Sequence, residues 1–355
     1  MTRRIFLASF FFVFSLIGHT AVYRGGMGAS EIILDDEEWS YFDSQEQIPY
    51  VLLPMTTDCP LTQHCFRTDN GDILKLQKTE RGYHGIWKTA KQQEISLDLR
   101  AFVAPETDPL NRLYAQEMPY QMALLANTAF EPLEKSIFMG RTLQWYREPH
   151  SGLSHFIIEA GYPEAAKESI NRFLRAQALG TLMAYKQCIA ASSASVRDNI
   201  HYKAKPEPSY MNDHFISYWV HEQSNCGTAY PYEGYYGVNY SVADGRGLEL
   251  EDILWIGTEK PHWLDSENES DEDIRVQRAA WLLFSLKREV PQALESFKYR
   301  EEYYLYPYFY LTPQGVYIGP LLPRTAAIYA HPEGAILPYL LFHKYPGRLG
   351  EIPLP

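Results

Sequence analysis

The chain has 355 residues, 46% of them hydrophobic and 14% aromatic, with 32 basic against 44 acidic side chains and a formal charge of −12 at pH 7. This apolar share excludes a disordered polymer, and the length is that of about two domains. The acidic balance excludes nucleic acid and anionic lipid surfaces as partners and favours cationic ones.

Residues 1–30 read as an export segment. Arg3 and Arg4 precede an uncharged run from Ile5 to Gly18 that carries five phenylalanines. A basic start followed by a short apolar stretch is the secretory pattern. Two processing points are considered. Ala21 has the large His19 in the position that wants a small residue, and Gly28-Ala29-Ser30 is small throughout but far from the apolar run. Left uncut, Ile5 to Tyr23 approaches the ~20 residues that span a bilayer, and the arginines would keep the N-terminus inside. The expectation is a periplasmic or extracellular protein that touches a membrane only through this segment, if it is uncleaved. No cysteine precedes Cys59, so a lipid-modified N-terminal cysteine is excluded.

Four cysteines in an exported chain favour disulfides. Cys59 and Cys65 share a short loop with Pro60, which leaves Cys188 to pair with Cys226 at long range. A zinc site using His64 is the alternative, but the spacing matches no established zinc pattern. No metal and no cofactor are expected.

Residues 31–105 read as a small β-rich unit. Gly82 to Trp87 is a turn entering a strand, and Ile95-Ser-Leu-Asp-Leu99 alternates strictly, as a half-buried strand does. Residues 106–136 form a linker and connecting segment around Pro105 and Pro109. Strands are expected at Ile137 to Trp145 and Leu153 to Glu159. A helix starts at Pro163, with apolar spacing from Ile170 to Ile189 and Glu164 and Glu168 near its positive end. Strands follow at His214 to Glu222 and Tyr235 to Val242, then a helix from Ile274 to Val290 stopped by Pro291. Late strands are expected at Tyr303 to Leu311, Gly315 to Gly319 and Ile336 to Phe342. Asp244-Gly245 and Gln314-Gly315 are turn signals. Leu248 and Leu250 should point inward, with Glu249 and Glu251 outward. This mixed order predicts an α+β fold rather than a βαβ repeat.

Two stretches carry a family resemblance. One is Asn225-Cys-Gly-Thr-Ala-Tyr-Pro231, followed by Asn239 to Asp244 and by Leu248-Glu-Leu-Glu-Asp-Ile-Leu-Trp255. The other is Phe309 to Tyr317, with Ala326-Ala-Ile-Tyr-Ala330 and Leu337-Pro-Tyr339 after it. Together they resemble the RsiV-like extracytoplasmic domain family, the ectodomain of a lysozyme-sensing anti-sigma factor and a domain of unknown function found beside some peptidoglycan deacetylases. The resemblance spans residues 137–345 and leaves 346–355 as a tail. It implies an α+β domain in an exported bacterial protein. Many family members have His before the proline of the cysteine turn, where this chain has Tyr230. With only Met1 to Arg4 ahead of the apolar run, a sigma factor could not be held, so anti-sigma activity is not expected.

Signatures of hydrolytic chemistry are absent: there is no Gly-x-Ser-x-Gly elbow and no His-Glu-x-x-His pair. His214 and His221 fall on opposite sides of one strand. His150 and His155 flank a turn but have no obvious acid partner. Asp252 with Glu249 or Glu251 is the carboxylate pair considered for glycan chemistry, with no separation to define it.

Aromatic side chains are the more informative signal. In Tyr303 to Leu311 the alternation places Tyr304, Tyr306, Tyr308 and Tyr310 on one strand face. Tyr230, Tyr232, Tyr235 and Tyr236 surround the Cys226 turn. Such tyrosines stack on sugars or pack into a protein partner; the ordinary alternative is cross-strand packing. The expected function is an exported, non-enzymatic binding protein of the bacterial envelope. Its partner would be a cationic exported protein such as lysozyme, or peptidoglycan glycan. The alternatives are a glycan-modifying enzyme and a structural assembly protein.

Overall fold

The computed structural model describes residues 22–28, 30–37, 39–44, 48–57, 59–68, 70–102, 120, 123–124, 128–190, 200–227, 231–265, 268–289, 301–322 and 334–350. The chain divides between Ala123 and Leu124 into two compact units, with Glu46–Pro49 grouping with the second. The fold class is α+β. Of the expected export segment 1–30, residues 1–21 lie outside the described residues; of the expected connecting segment 106–136, so do 106–119, 121–122 and 125–127, while Glu131 to Ser136 belong to a strand and not to a linker. No helix among the described residues is long and apolar enough to cross a membrane.

In the first unit, nine strand segments form one sheet: β1 Val22–Met27, β2 Ser30–Asp35, β3 Ser40–Asp43, β4 Ile48–Val51, β5 Leu53–Pro54, β6 His64–Arg67, β7 Ile73–Thr79, β8 Gly82–Lys88 and β9 Glu94–Ala101. The hydrogen-bonded order is β4-β3-β2-β1-β9-β8-β7-β6-β5. The two outermost segments, β4 and β5, are separated along the chain by Leu52 alone. The sheet therefore closes on itself. With β4 and β5 as halves of one bent strand, the described residues make an eight-stranded up-and-down barrel whose closing seam is the β1–β9 pair.

Strand alternation builds its interior. Along β8, Tyr83, Gly85 and Trp87 are buried while His84 and Ile86 are exposed. Tyr23 meets Tyr83 at 4.8 Å, and Tyr41 meets Tyr50 and Trp87 at 4.9 Å each. An eight-stranded barrel is just wide enough for such side chains to fill it. Two of the polar tips bond to carboxylates: Trp87 Nε1 donates to Asp72 at 2.9 Å and Tyr83 Oη to Asp36 at 3.0 Å. At the seam, a β-carbon on Gly25 would lie 2.2 Å from the Asp98 carbonyl oxygen, so the close approach of β1 to β9 requires glycine. The Cys59–Cys65 disulfide closes the loop leading into β6. The unit begins nine residues upstream of the expected boundary at 31, because Val22 and Tyr23, 2% and 5% exposed, already belong to its core.

The described residues of the second unit form three sheets. The first is β10 Glu131–Phe138, β11 Arg141–Arg147 and β12 Ser154–Ala160, followed by helix α1 Glu164–Ala190. The second is β13 His201–Met211, β14 Phe215–Asn225, β15 Tyr232–Ser241 and β16 Arg246–Gly247. Helix α2 Leu250–Ile253 and helix α3 Glu269–Glu289 lead to the third: β17 Tyr308–Thr312, β18 Gly315–Gly319 and β19 Ala335–Leu337, followed by helix α4 Tyr339–Lys344. The β13–β16 sheet has a core on each face. Ile216, Tyr218 and Val220 of β14 pack with Ile170, Leu174 and Leu182 of α1. On the other side Phe215 joins Leu282 of α3 and Leu311, Val316 and Ile318 of the third sheet. The Cys188–Cys226 disulfide joins the end of α1 to the residue after β14.

Four expectations are corrected. Ile137 to Trp145 is a hairpin and not one strand, because Met139 and Gly140 take φ of 47° and 76° and reverse the chain. The strand expected at Ile336 to Phe342 ends at Leu337. Pro338 has no N–H for a ladder and occupies the N-cap of α4. The strand expected at Tyr303 to Leu311 begins only at Tyr308, and Glu301–Tyr304 is a 3₁₀ turn. The segment from 346 is no tail as far as it is described. The amides of Arg348 and Leu349 bond the carbonyls of Glu251 and Asp252 at 2.9 and 3.1 Å, and Leu349 packs on the core.

Candidate binding surface

The face of the β13–β16 sheet that looks toward β17 is held by buried polar bonds at one end. Ser217 Oγ accepts the Leu311 amide at 2.8 Å and donates to Asn239 at 2.6 Å, and Asn239 Nδ2 donates to the Phe309 carbonyl at 2.9 Å. A β-carbon on Gly237 would sit 1.7 Å from the Phe309 oxygen, so β17 can cross there only over glycine. Beyond this crossing the same face carries Trp219, His221, Gln223, Glu233 and Tyr235, all half-buried.

Rings from four strands meet on that part of the face. Tyr310 stacks on Tyr317 of β18 at 4.4 Å and on Trp219 at 6.3 Å. Trp219 lies 5.9 Å from Tyr235, Tyr235 is 6.4 Å from Tyr308, and Tyr308 is 5.9 Å from Tyr317. The five rings thus form a closed circuit of neighbours. His221 extends it, stacked at 4.6 Å and nearly parallel on Tyr235. Its Nε2 lies 2.7 Å from Glu233 Oε1, which also accepts Gln223 Nε2 at 3.0 Å. Burial first, and neighbouring phenols second, push the Tyr308 and Tyr310 hydroxyls well above the ordinary phenol range. Tyr235 is raised by burial and then by Glu233. The phenols are therefore neutral donors at any physiological pH, and Glu233 is the acceptor at the rim.

Of the tyrosines singled out from the sequence, the structure joins Tyr235 and Tyr308 here, together with Tyr310. The others go elsewhere. Tyr232 and Tyr236 share the opposite face of β15, since the strand period of two separates them from Tyr235. Tyr236 packs into the α1 core, 3.2 Å from Thr181 Oγ1. Tyr304 is fully buried in the core beside α3, and Tyr306, half-exposed, lies under the Arg275 guanidinium at 5.4 Å. Tyr230 lies outside the described residues. Trp219, His221 and Tyr317 were not foreseen. The alternation of β14 beside β15, with His221 opposite Tyr235, was the signal for the first two.

Behind the sheet, a cavity of about 30 Å³ is lined by residues that include His155, Gln177, Thr181 and Tyr236. It is the size of a water site rather than of a ligand site. His155 Nδ1 has no hydrogen-bond partner there. Its ring packs on Phe130 at 4.4 Å and Tyr146 at 5.5 Å, and burial, aided by Arg175, lowers the imidazole to about 4. This is a neutral packing group.

Two of the carboxylates considered for glycan chemistry, Asp252 and Glu251, are engaged in ion pairs. Asp252 is fully buried and receives both Arg246 nitrogens at 2.8 Å, Arg348 Nε at 3.0 Å and the Glu249 amide at 2.9 Å. Burial alone would raise this carboxyl, but the arginine hydrogen bonds outweigh it and hold the group below the usual range. Glu251 pairs with buried Arg278. Leu248 and Leu250 are buried as the alternation implied, but Glu251, expected to point outward, has its side chain only 12% exposed because the helix that starts at Leu250 turns it onto Arg278. Among the described residues no three His, Cys, Asp or Glu side chains converge as a metal site.

No protein-family model and no curated protein matches the chain. Solved structures similar to it include two DUF3298 family proteins. One is a DUF3298 family member from Bacteroides fragilis, 14% identical with a TM-score of 0.37, covering 62% of this chain and 94% of that one. The other is a DUF3298 family protein from Pseudomonas aeruginosa, 13% identical with a TM-score of 0.31, covering 63% and 97%. At these scores the likeness carries no argument about function.

Proposed function

We propose that this chain is an exported, non-enzymatic binding protein of the bacterial envelope that takes cell-wall glycan on its aromatic surface. The observation that carries this reading is the circuit of Trp219, Tyr235, Tyr308, Tyr310 and Tyr317, with Glu233 and His221 at its rim. Aromatic faces accept the C–H faces of sugar rings, while phenol tips and a carboxylate bond to hydroxyls. The two disulfides support an oxidising compartment. The resemblance to the RsiV-like ectodomains supports an envelope location.

A second reading rests on charge. A formal charge of −12 steers basic proteins such as lysozyme toward this chain, and that attraction weakens with salt. Co-sedimentation with purified peptidoglycan and pull-down with lysozyme, each at low and high salt, separate the two. Glycan binding that survives salt, with Tyr310→Ala lowering affinity about tenfold in calorimetric titration with soluble muropeptides, supports the first. Salt-sensitive capture of lysozyme alone supports the second. Retention of neither ligand at low salt would sink both. A muropeptide profile altered by incubation with the protein would instead establish an enzyme.

A further inference from the structure

Strand β1 sets a limit on how the exported chain can be processed. The Val22 carbonyl accepts the Phe102 amide at 2.6 Å. β1 pairs along its whole length with β2, from Val22 opposite Asp35 to Met27 opposite Ser30, and Tyr23 and Arg24 pair with β9. Tyr23 also puts its ring against Tyr83 inside the barrel. A cut at Gly28-Ala29-Ser30 would remove this strand entirely. It would leave β2 and β9 as two facing open edges and expose the apolar interior between them.

A permanent anchor meets the opposite difficulty. Val22 and Tyr23 are barrel core and cannot also lie in a bilayer, so of Ile5 to Tyr23 only Ile5 to Ala21 remains for the membrane. As a helix that stretch would reach about 26 Å, and its uncharged apolar part, Ile5 to Gly18, only about 21 Å. The hydrocarbon core is about 30 Å thick, and an apolar run this short is the length of a signal-peptide core.

We infer that the N-terminal segment is a cleaved signal peptide, and that the cut falls between Gly18 and Val22, so that the mature chain keeps β1. Ala21 and Gly18 are the small residues that can precede it. The inference rests on export and on barrel closure, and is independent of which ligand the aromatic surface takes. The test is to produce the full chain in a bacterial host with an active signal peptidase, then determine the N-terminus by intact mass and terminal sequencing. The expected product starts at a residue from His19 to Val22. A start at Ser30 or anywhere after Val22 overturns the inference, as does an uncut chain in any fraction. Ala29→Leu, which spoils the downstream site, should leave the N-terminus unchanged; a shifted or blocked cut in that variant also overturns it.

Discussion

In the barrel, each strand pairs with its neighbours in sequence and only the β1–β9 seam joins distant residues. In the second unit, the aromatic surface is assembled from β14, β15, β17 and β18. Its fastening bonds, Asn239 to Phe309 and Ser217 to Leu311, span 70 and 94 residues. The barrel is thus a locally encoded object whose weak point is one seam. The α+β unit is encoded over long range and is held by a few buried polar groups and a crosslink. Perturbations should separate the two.

The largest effect is expected at the seam. Deleting residues 22–29 should abolish the unfolding transition of the barrel in calorimetry and leave that of the α+β unit in place; loss of both, or of neither, would break the comparison. Next is Asp252→Asn, which leaves two arginines facing a neutral group in a buried site. It should cost the α+β unit about 3–5 kcal/mol in denaturant unfolding, with the barrel transition unmoved.

The disulfides offer a graded test. Loop-closure entropy assigns about 4 kcal/mol to Cys188–Cys226, with its separation of 38 residues, and about 2 kcal/mol to Cys59–Cys65, with its separation of 6. The paired Cys→Ala variants should follow that order, each acting on its own unit. Equal losses would show that the crosslinks act mainly on the folded state.

The smallest expected effect is that of pH on the α+β unit. His155 is held at about 4 in the fold, against 6.5 when exposed. Its contribution is therefore present above pH 6.5 and is lost as the pH falls toward 4, because the unfolded chain takes up a proton that the native state refuses. Between pH 7 and 5.5 the loss should be about 1 kcal/mol. His155→Phe should flatten that part of the stability profile, and a profile identical to that of the unsubstituted chain would show that another group is responsible.

Much of the local structure was legible. Strict alternation marked β9, apolar spacing marked α1 and α3, and the short Pro60 loop pointed to the Cys59–Cys65 pair. Errors arose where a single residue outweighed a pattern. The tyrosine alternation from Tyr303 to Leu311 suggested one strand, yet Pro307 has no N–H to give a ladder, so pairing starts at Tyr308 and Tyr304 turns into the core. Grouping Tyr232, Tyr235 and Tyr236 by proximity overlooked the strand period, which sends Tyr235 to one face and the other two to the opposite one. The carboxylates near Asp252 looked available in sequence because Arg348, 96 residues away, could not be seen to reach them.

The sequence by itself determined the α+β class, most helices and strands, and an apolar N-terminal segment of limited length. These follow from residue periodicity, backbone chemistry and counting, which act over a few turns of chain. Only the tertiary structure decided that the nine-segment sheet closes through Leu52, that β1 belongs to the barrel and not to the export segment, and that Trp219, Tyr235, Tyr308, Tyr310 and Tyr317 share one surface. Each of these depends on which distant strands come within hydrogen-bonding or ring-contact distance, and that is set by mutual burial of faces that no local pattern encodes.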